Sequence, residues 1–242
     1  MIPSHRTSIR SGPAPWQRRV RAMMAPMAFA ALSALAESAG AVPPIAPLAR
    51  TPGFYAGLQA GTNDLRHWPA TVGFAAGARA HGGLSPDPAA SFGLAVGRRT
   101  ENARFEFEYQ RGRFHLRGTN LGAVSVSASG AGQAETVLFR ADRVLPIADT
   151  LTAYAGGGLG WGSVTVPHAG SAGGCPCFGA PTGQGLAYQG RVGFEYSFTN
   201  GPNVFVQASW ISLPGASSGG TPGVEYPRRG TAALDAGLRL RF

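Results

Sequence analysis

Beyond residue 50, apolar side chains recur at every second position, the period of a β-strand whose two faces meet different surroundings. The run 230–242 shows it most plainly. Leu234, Ala236, Leu238, Leu240 and Phe242 share one face, while Asp235, Gly237, Arg239 and Arg241 share the other. Seven further segments carry the same alternation: 54–64, 92–99, 104–116, 133–145, 151–166, 185–198 and 204–213. Within 104–116, Phe105, Phe107 and Tyr109 alternate with Arg104, Glu106, Glu108 and Gln110; the phase then breaks near Gly112, which suggests a bulge. Within 151–166, Ala153, Ala155, Leu159 and Trp161 oppose Gly156, Gly158, Gly160 and Gly162.

The connections between these strands span about 27, 4, 16, 5, 18, 5 and 16 residues, long and short in strict alternation. The short ones are turn-forming runs such as Thr100-Glu101-Asn102 and Thr199-Asn200-Gly201-Pro202. Short turns at one end, long loops at the other and an apolar outer face describe an antiparallel up-and-down barrel that stands in lipid. The sequence therefore predicts an all-β fold, an eight-stranded antiparallel transmembrane β-barrel. Trp161, Tyr188 and Trp210 fall near the loop ends of their strands, and Phe54, Phe198 and Phe242 at the turn ends, as in the two aromatic girdles of such a barrel. Whether residues 71–80 of the first loop pair as additional strands is open.

Residues 1–41 carry a basic stretch, an apolar stretch and the small residues Ala39-Gly40-Ala41, the three parts of a cleaved secretory signal. The expected organisation is a signal peptide over 1–41, a short periplasmic segment over 42–53 and a barrel over 54–242. Without the first 41 residues the formal charge falls from +9 to +5. Every basic residue besides histidine is Arg. Charged residues make up only 14% of the chain and Gly is frequent at 36, an unusual balance for a wholly water-facing surface. The arginines are spread along strands rather than gathered in a run, which argues against nucleic acid as a partner.

The run Leu151-Thr152-Ala153-Tyr154-Ala155-Gly156-Gly157-Gly158-Leu159-Gly160-Trp161 resembles the Tyr-x-Gly-x-Gly-x-Gly strand of small outer-membrane β-barrel proteins of the OmpA-like, OmpX-like and opacity-type porin families. Ala153 stands where those families usually have Pro. The strand ending in Phe242 is similar to the signal read by the barrel-assembly machinery. The resemblance covers residues 54–242. It implies the outer membrane of a Gram-negative bacterium, contact with outer-membrane lipid and lipopolysaccharide, and a passage through the assembly machinery with Phe242 as its signal. The expected role is structural or interactive: envelope integrity, adhesion or recognition of a surface partner. A narrow passive porin is the alternative, and a lipid-modifying enzyme the second alternative.

The interior decides between plug and pore. Arg104, Arg140, Arg191, Arg239 and Arg241 point inward with Glu106, Glu108, Asp142, Glu195 and Asp235. An eight-stranded barrel has room only for its own side chains, and isolated buried charges are costly, so opposite signs should pair into a plug. The inward glycines of 151–166 make room for the long Arg and Glu chains. No catalytic residue, metal or cofactor is expected; His67, His81, His115 and His168 lie in or beside loops and read as solvated residues. Cys175 and Cys177, in the third long loop, could form a local bridge, a cross-link to another chain or half of a metal site, with the local bridge expected. The loops also hold Arg66, Arg79, Arg117, Arg228 and Arg229 against Asp87 and Glu225. Their guanidinium forks suit the phosphates of lipopolysaccharide.

Overall fold

The structure, a computed structural model, describes residues 52–65, 67–168, 180–199 and 201–242. The predicted signal peptide, most of the short segment after it, Arg66, Cys175 and Cys177 lie outside the described residues. In chain order the strands are β1 (Gly53–Asp64), β2 (Trp68–Gly73), β3 (Arg79–Pro86), β4 (Ala89–Arg99), β5 (Ala103–Leu121), β6 (Val124–Ser127), β7 (Ala131–Pro146), β8 (Leu151–Thr165), β9 (Thr182–Ser197), β10 (Asn203–Leu213), β11 (Ala216–Ser217), β12 (Gly223–Tyr226) and β13 (Arg229–Arg241).

Eight of them close on themselves. β1 pairs with β4, β4 with β5, β5 with β7, β7 with β8 and β8 with β9. β9 then pairs with β10, β10 with β13, and β13 returns to β1. Every pairing is antiparallel, so the wall is the predicted eight-stranded up-and-down barrel. Closure leaves no edge strand, which is the condition for crossing a bilayer with strands. The last bond of the seam runs from the Phe242 amide to the Phe54 carbonyl at 3.1 Å.

Side-chain polarity along the wall follows its two solvents. In the middle of the barrel the outer face is apolar: Leu94, Phe107, Phe139, Leu159, Val192, Phe194, Val206 and Leu238 are all exposed. The charges lie inside. Towards the loop end the order inverts. On β5 the outward positions become Arg111, Arg113, His115 and Arg117, while Gly112, Phe114 and Leu116 turn inward and are buried. The bulge predicted near Gly112 is absent. The β4–β5 and β5–β7 registers run unbroken through Ser91↔Gly112 and Gly112↔Ala134. What looks in the sequence like a broken phase is one continuous strand leaving lipid for water, keeping its alternation while exchanging which face is apolar.

The long loops build on this. Residues 71–80 do pair: β2 and β3 form a hairpin from Trp68↔Leu84 to Gly73↔Arg79. β3 adds to the upper part of β5, β2 pairs with β12, β12 with β11, and β11 with β9 at Ser217↔Thr182. With β8 and β7 these strands close a second circuit above the first. Its interior is a cluster of Leu65, Trp68, Val72, Leu84, Phe114, Leu116, Leu138, Val164, Val166, Ile211, Leu213, Val224 and Tyr226, each at most 5% exposed. The Trp68 indole donates to the Pro227 carbonyl at 2.9 Å and meets Tyr226 edge to face at 5.9 Å, so the first and last loops are tied together. Residues on the loop end thus fold as a water-soluble β-domain would, with an apolar centre and a polar outside.

Candidate functional site

The turn-end half of the barrel is filled by charge. Inward parity on β5, β7, β9 and β13 delivers Arg104, Glu106, Glu108, Arg140, Asp142, Arg191, Glu195, Asp235 and Arg239, each 3% exposed or less. Glycines on the facing strand provide the room. A Cβ on Gly156 would strike the Asp142 side chain, and one on Gly158 would strike Arg140.

Glu195 and Glu106 are the two hubs. Glu195 takes Arg239 at 2.7 Å, Arg104 at 2.8 Å, Arg99 at 3.1 Å and Arg241 at 3.5 Å. Asn203 also donates to it at 2.8 Å. Glu106 takes Arg140 at 2.7 Å, Arg191 at 3.1 Å, Arg239 at 3.7 Å and Arg104 at 3.8 Å, and its other side accepts the Tyr55 hydroxyl at 2.6 Å. Asp142 receives Arg191 through Nη2 at 2.5 Å and Nε at 3.0 Å, and Arg104 at 3.1 Å. Glu108 sits against Arg140 and lies 3.9 Å from Arg191. The Tyr154 ring lies among three guanidinium groups, with Arg104 at 4.1 Å and Arg191 and Arg239 each at 5.5 Å from its centroid. Arg239 also covers Phe205 at 3.7 Å. Each buried guanidinium is met by carboxylates, amides or ring faces, which is what makes its removal from water tolerable.

Two features of this network depart from the expected five-against-five pairing. Arg99 is a further inward cation, 4% exposed and bound to Glu195. It is the last residue of the predicted strand 92–99 and shares parity with Ser91, Gly93, Ala95 and Gly97, so the alternation places it inward although the sequence reading did not count it among the interior charges. Asp235 has no ion pair among the described residues. It accepts from Ser91 at 3.1 Å and from Gln207 at 3.4 Å, because on this side the facing wall presents amides and hydroxyls. Sequence reasoning also passed over the amide layer of Gln59, Gln189 and Gln207. Gln189 accepts from Arg140 at 2.7 Å and Gln207 from Arg191 at 3.2 Å. Arg241, at the turn-end mouth, is partly exposed and also donates to Ser197 at 3.3 Å.

Between the charged layer and the apolar cluster lies a cavity of about 20 Å³, lined by Asn63, Gln110, Thr136, Thr231, Phe114 and Ile211 among others, room for about one water. Asn63 Oδ1 and Gln110 Nε2, on two residues that line it, are buried without a partner among the described residues. Above it, the Tyr226 hydroxyl is also buried without a partner, and burial pushes its pKa above the ordinary phenol range.

The loop arginines do not converge. Arg79 is exposed on β3. Arg117, on the outer face of β5, is paired with Asp87. Arg228 lies between β12 and β13 and is exposed, and Arg229 opens β13 and is half-buried. His67, His81, His115 and His168 are all exposed, and no group of three or more His, Cys, Asp or Glu able to hold a metal ion occurs among the described residues.

No protein-family model and no curated protein matches the sequence. Among solved structures the chain is similar to the outer membrane protein OprG from Pseudomonas aeruginosa, with 12% identity over 78% of this chain and 97% of that one and a TM-score of 0.56. It is also similar to Neisserial surface protein A, with 18% identity over 79% of this chain and 99% of that one and a TM-score of 0.47. At 12% identity the likeness to OprG is one of fold, and it agrees with the closed strand circuit, the apolar outer belt and the alternation of short turns with long loops: the chain has the fold of a small outer-membrane β-barrel.

Proposed function

We propose that the chain is a closed outer-membrane barrel, a structural anchor that carries a rigid extracellular platform for surface interaction or envelope integrity. The observation that carries this reading is the filling of the interior over its whole height. The turn end is occupied by the arginine–carboxylate network and the loop end by the apolar cluster, with a small cavity between them. An ion entering from either end would have to displace buried ion pairs or cross a dry apolar layer, and both cost several kcal/mol. The long loops support the platform part of the reading, because their strands are paired into the second circuit and packed on a common core. The reading includes no catalytic step. Acyl or peptide transfer needs a base held beside a nucleophile, and the four described histidines are exposed residues of the rim.

The test is single-channel recording of refolded protein in planar bilayers. The expected trace is flat, with no steady conductance at moderate voltage. A large, ion-selective and reproducible conductance from the intact barrel would overturn the plug and make the chain a narrow porin.

A further inference from the structure

At the upper edge of the lipid-facing belt, the outer wall carries an arginine held over one ring of an aromatic pair. Tyr188 on β9 and Trp210 on β10 face outward with ring centroids 5.8 Å apart, and they are 42% and 46% exposed. Trp210 is pressed against Gly230, where a Cβ would collide with the indole. Arg228 lies over the Tyr188 ring. Its Nη1 donates to the Leu186 carbonyl at 2.7 Å and faces the Ser212 hydroxyl at 3.4 Å, and its guanidinium carbon lies 5.6 Å from the Tyr188 centroid. The fork is therefore fixed in place through one nitrogen. Among the described residues its other donors take no partner, and no carboxylate lies within ion-pair distance of it.

That last point separates Arg228 from other outward cations near the same level. Arg111 already has Glu135 at 3.5 Å, and Arg117 already has Asp87. Arg229 follows directly in the chain, half-buried, with its Nε unpartnered. An exposed, oriented guanidinium lacking an anion, standing where the apolar wall meets water, is complementary to a phosphate carried at that depth. The wall below it (Ala208 and Val206 on β10, Val192 and Phe194 on β9) is apolar and exposed and would lie along acyl chains. We infer that Arg228, Tyr188 and Trp210 form a seat for the phosphorylated headgroup of an outer-leaflet lipid. A free phosphate would use the guanidinium alone; a lipid uses the fork, the rings and the wall beneath. The seat lies on the outer face and the plug on the inner face of the same strands, so the fate of one does not decide the other.

The test uses full-length refolded protein in neutral detergent micelles, with bisphosphorylated lipid A as the probe, its dephosphorylated form as comparison and inorganic phosphate as competitor. Bound lipid is counted by native mass spectrometry, and the folded fraction is read from heat-modifiable mobility. The phosphorylated probe should bind at least about ten-fold more tightly than the dephosphorylated one, the scale of one charge-assisted hydrogen bond. Arg228→Ala should remove that preference, and Arg113→Ala, on the opposite flank, should leave it intact. Should the Ala variant fold poorly, Arg228→Gln, which can keep the bond to the Leu186 carbonyl, reads the same effect. Retention of the preference in the folded Arg228 variant would overturn the inference. So would an equal loss in Arg113→Ala, which would mean diffuse charge, or displacement of the lipid by inorganic phosphate at equal concentration.

Discussion

Glu195 is the residue on which the interior network depends most, and replacing it with Gln isolates charge from shape. Four guanidinium groups lie within 3.5 Å of its carboxylate. Three of them keep some other partner: Arg104 retains Asp142 at 3.1 Å, Arg239 retains Glu106 at 3.7 Å, and Arg241 retains Ser197 at 3.3 Å. Arg99 has no other carboxylate among the described residues. Gln is nearly isosteric, so packing is preserved, but its amide turns a donor towards guanidinium donors and the negative charge is gone. Removing one partner of a buried ion pair costs about 3–5 kcal/mol. For a domain of this size that corresponds to a fall on the order of 10 °C. The assay is the temperature at which the compact, heat-modifiable band disappears on a gel. Combining Glu195→Gln with Arg99→Gln should recover roughly half of the loss or more, because the double change also removes a buried cation whose carboxylate among the described residues is Glu195. The same exchange at Arg104 should recover less, since it would strip a partner from Asp142. A single variant as heat-resistant as the wild type, or a double variant worse than the sum of the singles, would show that the network does not hold the barrel together.

Other outcomes follow from the polarity of the wall. Phe107→Arg places a cation on the lipid face, at a cost of about 2–4 kcal/mol near the midplane, and should reduce the folded protein recovered in outer-membrane fractions; Arg113→Leu, on the same face of β5 but above the belt, should insert normally, and equal recovery of the two would contradict the inversion. Phe114→Ala opens a cavity in the rim core and should cost about 3–5 kcal/mol, measured as a lower melting temperature of the heat-modifiable band, whereas Phe107→Ala on the lipid face should cost far less. Deleting Phe242, which is 80% exposed and bonded to the Phe54 carbonyl through its amide, should lower the yield of inserted protein in cells without preventing refolding in detergent; unchanged yield in cells would remove its role as an assembly signal.

The wall was readable from sequence because lipid imposes a strict rule on it. Every outward residue through the belt must be apolar, so alternation in β5, β9 and β13 is nearly uninterrupted and sets strand direction and parity together. Parity then placed nine of the buried charges inside without knowledge of the partner strands. It could not say which carboxylate meets which arginine. Arg104 and Glu195 are 91 residues apart and bond at 2.8 Å across the barrel, a contact that depends on shear and closure. Asp235 shows the same limit from the other side. Its parity is plain, but its neighbours Ser91 and Gln207 come from β4 and β10, and they offer hydroxyl and amide donors in place of charge.

The rim was harder to read for a physical reason that β5 makes concrete. A single rule, apolar outward, holds up to Tyr109; from Arg111 onward the opposite rule holds, and the residues alternate as faithfully under it as under the first. A reading that keeps one rule must register the exchange as a fault in the strand, hence the bulge expected at Gly112. The correct inference needs both halves. Apolar residues move to the inner face (Phe114, Leu116) where the outer face becomes basic (Arg111, Arg113, Arg117), and the same exchange recurs on β10, where Gln207 and Ser209 give way inward to Ile211 and Leu213 above the outward Trp210. Two strands inverting at the height of the aromatic girdle mark the plane where the bilayer ends. Above that plane there is no lipid to bury apolar side chains, so they must be buried in the centre, and loops that would otherwise be mobile acquire a core to pack on. The short strands β2, β3, β11 and β12 follow from that core: Trp68, Val72, Leu84, Ala216, Val224 and Tyr226 are their inward residues and its substance.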